Sequence, residues 1–194
     1  MSSEFWSHEK LSEKDDAINP AGKVLSGPAS KPPQSVDIRT VMRYFASAVT
    51  VVTGALETGE LFGLTVSAFT SVSLEPPLVL ICIRNESSAT NLFRKSMRYC
   101  VNILSEEQRP IAEKFSLAGE GGRFHNLDFY IGKGGSPIIR ETIGYIDCRI
   151  VDIIASGDHT VFFGEAVEVY AEEKKPLLYL NRRYVKLEEF PQKA

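Results

Sequence analysis

Two long β-patterned segments separated by only five residues constrain this chain more than any other feature. Thr142 to Ile154 and Thr160 to Tyr170 are rich in β-branched and aromatic residues, and Ala155-Ser156-Gly157-Asp158-His159 between them supplies Gly-Asp turn chemistry. So short a connection joins antiparallel strands; parallel neighbours need a crossover of roughly a dozen residues or more. A second hairpin is predicted upstream, where Val49-Thr50-Val51-Val52-Thr53 and Leu61 to Val66 flank the turn-forming stretch from Gly54 to Gly59. Two more strands are expected at Pro77 to Ile83 and Tyr99 to Leu104, the first an unbroken apolar run of the kind covered on both faces.

Helical signals are few and short. Ile38, Val41, Met42 and Phe45 recur at helical spacing behind Ser35 or Asp37 as a cap, and Ser88 is placed to cap a segment from Asn91 to Ser96. Ser105 and Gln108 stand at capping-box spacing for a helix reaching Phe115. About six strands with so few helices argue against a doubly wound parallel sheet and for a mainly β protein, a small antiparallel barrel that closes its own edges. Residues 1–35 mix charges with Ser, Gly and Pro and are expected to form a flexible leader ahead of one domain over 36–190. Glycines from Gly119 to Gly122 and Gly132 to Gly135 mark an irregular stretch within that domain.

Composition narrows the function. The formal charge is −3, without the basic excess that phosphate-backbone binding requires, so nucleic acid is not an expected partner. No apolar run approaches the roughly 20 residues that cross a bilayer, and the N-terminus is acidic where a signal peptide is basic, so no membrane partner and a cytoplasmic location are expected. Cys82, Cys100 and Cys148 are odd in number and widely spaced, which predicts buried reduced thiols and not a disulfide framework or a paired-cysteine site. His8, His125 and His159 are too scattered for a metal centre. The glycine-rich dinucleotide fingerprint, the phosphate loop, His-Glu-x-x-His and Gly-x-Ser-x-Gly are all missing from the sequence.

Three segments can carry chemistry. Thr65-Val66-Ser67-Ala68-Phe69-Thr70-Ser71-Val72-Ser73 is dense in hydroxyls, which with turn-exposed N–H groups can hold a phosphate and ring carbonyls; an exposed edge strand has the same composition. Arg84-Asn85-Glu86-Ser87-Ser88-Ala89-Thr90-Asn91 opens a short helix, where unsatisfied N–H groups suit an anion and where simple capping would serve as well. Gly157-Asp158-His159-Thr160 presents an imidazole on a hairpin, as solvated loop histidines also are.

Taken in order, these segments resemble the flavin reductase-like family, the short-chain reductase components of two-component flavin monooxygenases. The resemblance spans about Asp37 to Tyr184. It rests on Phe45 to Thr53, on Gly63 to Pro77, on Val101-Asn102-Ile103-Leu104-Ser105 with Gln108 and Phe115, on Gly157 to Thr160, and on Pro176-Leu177-Leu178-Tyr179. It implies a homodimeric split β-barrel of Greek-key type that binds FMN, or FAD, near the dimer seam and takes NADH or NADPH as co-substrate. Thr65, Val66, Ser67 and Ala68 would lie along the phosphate and ribityl chain, and Ser71, Val72 and Ser73 beside the isoalloxazine. Ser88 and Thr90 would join the phosphate site, and Asn102 and Ser105 the strand beside the ring, with Phe115 following. His159 matches the family's histidine near the nicotinamide, and Tyr179 and Tyr184 fall in the C-terminal segment that reaches the site. The implied activity is hydride transfer from NAD(P)H to flavin, with a separate monooxygenase as recipient. The same site would also suit a flavoredoxin-like FMN electron carrier or a flavin-binding module without turnover, and a ligand-binding barrel without flavin is the plainest alternative. No Arg pair in the sequence marks a 2′-phosphate site, so NADH and NADPH both stay open.

Overall fold

The computed structural model describes residues 37–117 and 122–187, and the chain divides after Ile38 into two units, of which the second, residues 39–194, contains all the described strands. The expected leader over residues 1–35 lies outside the described residues, as does most of the glycine stretch from 119 to 122. The elements run α1 (Ile38–Met42), β1 (Ser47–Ala48), β2 (Thr50–Ala55), β3 (Leu61–Val66), β4 (Phe69–Leu74), β5 (Pro77–Arg84), α2 (Ser88–Ser96) and β6 (Arg98–Ile103). A 3₁₀ turn (Glu106–Gln108) leads into α3 (Arg109–Ser116), followed by β7 (Phe129–Ile131), β8 (Pro137–Ile139), β9 (Gly144–Ser156), β10 (His159–Ala171), β11 (Leu178–Leu180) and β12 (Arg183–Val185).

The protein is mainly β, with short helices and antiparallel pairing throughout the described strands. Its principal sheet has seven strands in the order β3-β2-β6-β9-β10-β5-β4, where about six strands were expected. The long hairpin read from sequence is β9 and β10, turned at Gly157, whose φ of +60° is the left-handed conformation that glycine adopts without a Cβ penalty. Thr50 opposite Val66 and Ala55 opposite Leu61 set the register of the upstream hairpin.

Two apolar clusters explain why β2 is buried along nearly its whole length. Val52 faces a core with Phe62, Phe93, Tyr99, Ile81 and Phe162, while Val51 on the opposite face packs with Leu104, Ala112, Phe115 and Leu177 beneath α3. Each fully buried aliphatic or aromatic side chain contributes about 1.5–3 kcal/mol. The first cluster draws on β3 and on β5, near opposite edges of the sheet, so the sheet wraps around it.

Several expectations change in detail. The apolar run of β5 is not covered on both faces: Val79, Ile81 and Ile83 are buried, while Leu80 and Cys82 are only partly so, because the second layer lies on one side alone. Cys82 is therefore partly exposed, whereas Cys100 and Cys148 are buried, and all three are free thiols. The N-cap of α2 is Ser87, one residue before the expected Ser88. α1 ends at Met42, and Val41, Met42 and Phe45 stay exposed, since a five-residue helix is too short to seat a whole apolar face on the core. The capping box at Ser105 and Gln108 forms as its spacing predicts, and α3 runs through Phe115.

Candidate functional site

The half-open face of β5 becomes one wall of a cavity of about 630 Å³, within the range of small-ligand sites. Leu80, Cys82 and Arg84 project from β5, and the Ser67-Ala68 bend between β3 and β4, with Phe69 and Thr70 at the start of β4, lies beside them. The bend is anchored to the strand: the Cys82 N–H donates to the Ala68 carbonyl at 2.9 Å, and the Phe69 N–H to the Ser67 carbonyl at 3.1 Å. Ser47 and Tyr179, opposite each other in the pairing of β1 with β11, close another side. Met42 and Phe45, the apolar residues that the core does not take, line the cavity as well.

Charge sets this cavity apart. Arg39, Arg43, Arg84 and Arg182 line it, and no carboxylate is among its described lining residues, although the chain as a whole carries −3. Guanidinium groups present planar donor pairs suited to phosphate oxygens. The partly apolar wall of Leu80 and Cys82 beside hydroxyl and guanidinium donors thus fits a ligand with a planar ring and a phosphate.

The second and third sequence segments meet at the end of β5. Arg84 stands opposite His159 in the register of β5 with β10, so both project from the cavity face of the sheet. The Asn85 N–H donates to the Asp158 carbonyl at 3.0 Å, its side-chain amide to the Gly157 carbonyl at 3.2 Å, and its Oδ1 accepts from the Thr160 hydroxyl at 2.8 Å. Thr90 is buried and ties the same loop internally, its hydroxyl donating to the Arg84 carbonyl at 2.7 Å. His159 Nδ1 lies 2.6 Å from Asp158 Oδ1, and this contact holds the Asp158 carboxyl below its usual range.

Other residues singled out in the sequence stand elsewhere. Thr65 turns to α3, its hydroxyl donating to the Ala112 carbonyl at 2.7 Å, and Val66 packs in the core. Ser71 and Val72 are exposed and Ser73 partly so, at a bulge in the pairing of β4 with β5; Ser71 lies opposite Val79, on the other face from the cavity. Ser88 lines a separate cavity of about 190 Å³ with Leu92, Arg123, Phe124 and His125. Phe115 is core, and Ser105 belongs to the capping box. Asn102 is fully buried in a backbone tie: its Nδ2 donates to the Val51 carbonyl and the Thr53 hydroxyl, both at 3.1 Å, and its Oδ1 accepts from the Ile139 N–H at 2.8 Å. Tyr184 packs edge-on against Tyr179 with centroids 5.3 Å apart, and the Arg109 guanidinium lies over the Tyr184 ring, 5.1 Å from its centroid.

Of the residues expected at the site, Ser67, Ala68 and Tyr179 line the cavity, and His159 stands at its edge. Sequence reasoning passed over Arg39, Arg43, Asn181 and Arg182. The i, i+4 spacing of Arg39 and Arg43 was the one signal available for the first pair.

The family model described as "Flavin reductase like domain" matches residues 42–188. The chain is 34% identical over 154 residues to the "4-nitrophenol 4-monooxygenase/4-nitrocatechol 2-monooxygenase, reductase component" of Rhodococcus opacus, covering 79% of this chain and 82% of that protein. It is 35% identical to the "Flavin-dependent monooxygenase, reductase subunit HsaB" of Mycobacterium tuberculosis, covering 77% and 81%. Among solved structures, the NADH:FAD oxidoreductase SgcE6 of Streptomyces globisporus C-1027 superposes with a TM-score of 0.76 at 30% identity, over 81% of this chain and 99% of that one. The match over most of the chain, in sequence and in fold, means that this protein belongs to the flavin reductase-like domain family.

Proposed function

We propose that this protein is an NAD(P)H:flavin oxidoreductase that takes FMN, or FAD, into the arginine-lined cavity and supplies the reduced flavin to a separate monooxygenase. The observation that carries this reading is the placement of His159 opposite Arg84, at the edge of a cavity whose charged lining residues are all arginines. Bound flavin would supply the hydride acceptor and reduced nicotinamide the hydride.

The chain's own groups have distinct tasks. The anchored Ser67-Ala68 bend offers a hydroxyl and backbone donors to the ribityl phosphate, with Arg84 balancing its charge. Leu80 and Cys82 give the ring an apolar wall that keeps water from one side. His159, steadied by Asp158, orients the nicotinamide, a positioning role that needs no proton transfer. Tyr179, braced by Tyr184, closes the C-terminal side.

A homodimeric split barrel of Greek-key type is part of this proposal. Its support is the apolar strip that continues from Cys82 through Val161 to Ile154, the last 46% exposed, which a second copy would cover. A cytoplasmic setting, where reduced nicotinamide is at hand, belongs to the same reading. No helix among the described residues is long and apolar enough to cross a membrane.

The test is the visible absorbance of purified protein with excess FMN, before and after anaerobic NADH. Bleaching of flavin in many-fold excess over protein is expected. Bleaching limited to one equivalent would replace the reductase with an electron carrier, and no bleaching with NADH or NADPH would overturn the reading.

A further inference from the structure

The β11–β12 hairpin carries a backbone anomaly aimed at the same cavity. Asn181 and Arg182 both have positive φ, +47° and +62°, in the two-residue turn between Leu180 and Arg183. Such turns favour Asn and Gly at these positions, and Asn181 conforms. Arg182 does not: an arginine gains nothing locally from the left-handed conformation and is held there by the hairpin on either side. The turn is also docked, because the Asn181 N–H donates to the Arg43 carbonyl at 2.7 Å. The main chain at Arg43 and at the Asn181-Arg182 turn is thereby held together on one side of the cavity, while Arg84 and Ser67 belong to the walls formed by β5 and by the β3–β4 bend.

We infer that this rim is a diphosphate clamp, with Arg182 as its specificity-determining residue, holding the second phosphate of a dinucleotide beyond the flavin's ribityl phosphate. The inference rests on the reading of the cavity as a flavin site and extends it. A single phosphate monoester carries at most two negative charges and is served by Arg84 with the hydroxyls of the bend. Further guanidiniums at the rim match the further charge that arrives with the diphosphate of FAD or of the nicotinamide dinucleotide. A left-handed arginine where glycine is the easier residue is what selection for a charged group at that point would leave.

The position makes a clean test, because Arg182→Gly removes the side chain and suits the backbone. A melting temperature at or above that of wild type is expected, with riboflavin, which has no phosphate, bound within twofold of wild type. The affinity for FAD, the KM for NADH, or both should worsen about tenfold, as for the loss of one charge-assisted hydrogen bond. Their dependence on ionic strength should flatten. Weaker FAD binding with FMN unaffected assigns the clamp to the flavin, and a raised KM for NADH alone assigns it to the nicotinamide dinucleotide. Arg182→Asn, which keeps the turn without the charge, should behave like the glycine variant. FAD and NADH constants unchanged in both variants would overturn the clamp while leaving the reductase intact. An equal loss of riboflavin binding would overturn it too, by showing that Arg182 shapes the pocket. Wild-type protein that ignores riboflavin, FMN and FAD alike would end both readings.

Discussion

His159 stands directly opposite Arg84 across the pairing of β10 with β5, 75 positions apart in the chain and neighbours on one face of the sheet. The Asn85 side chain, shared between the Gly157 carbonyl and the Thr160 hydroxyl, fixes the two ends to each other. The imidazole is thus presented beside a guanidinium at the edge of the cavity.

Replacement of His159 by Ala should therefore act on nicotinamide and spare flavin. We expect the KM for NAD(P)H to rise and turnover to fall, together lowering kcat/KM by about one to two orders of magnitude, with FMN affinity within twofold of wild type. Steady-state constants equal to those of wild type would remove His159 from the reaction.

Ser67 and Ser88 separate in the structure, one on the 630 Å³ cavity and the other on the 190 Å³ cavity near Arg123. Ser67→Ala should weaken FMN binding by about two- to tenfold, the worth of one hydrogen bond. Ser88→Ala should weaken it less. Titration of both variants by flavin fluorescence decides the matter, and a larger effect at Ser88 would relocate the phosphate toward the start of α2.

Asn102 is a stability residue by its bonding. Its removal in Asn102→Ala leaves the Ile139 N–H and the Val51 carbonyl without their side-chain partner in the interior. A loss of about 2–4 kcal/mol in denaturant unfolding is expected, with a much smaller change in flavin affinity of the folded protein. The reverse pattern would place Asn102 in the ligand site.

Asp147 gives the protein a pH-dependent weakness. The side chain is buried beneath the loop from Gly132 to Gly135, where the Gly134 N–H donates to its Oδ2 at 2.6 Å and Oδ1 has no hydrogen-bond partner among the described residues. A Cβ at Gly132 or Gly134 would fall within 2.7 Å of the carboxyl group, so glycine is what lets the loop close over it. Burial pushes this carboxyl from 3.8 to about 6. Between those values the folded state binds more protons than the unfolded one, so stability is fully present below 3.8 and is lost as pH rises through about 6. Asp147→Asn should abolish that loss and be more stable than wild type at neutral pH, by about 1–3 kcal/mol. Chemical denaturation at pH 4 and pH 7 measures it. A wild-type protein that gains stability over that interval relative to the variant would reverse the assignment.

Local pattern was enough for the antiparallel β class, the hairpins around Gly54 to Gly59 and at Gly157, and the Ser105–Gln108 cap, because turn chemistry and side-chain alternation act between residues near in sequence. The order of the family's motifs likewise lay in the chain itself. What only the tertiary structure decided is which polar groups face a ligand and which bind the backbone. Asn102, Thr65 and Thr90 carry hydrogen-bond donors as Ser67 does, yet packing turns them to the Val51, Ala112 and Arg84 carbonyls. Packing also brings the neighbouring Arg39 and Arg43 together with Arg84 and Arg182, far from them in the chain, around one cavity. Burial and strand register are long-range properties, and a buried donor must take the acceptor that the fold brings to it, which no stretch of neighbouring residues specifies.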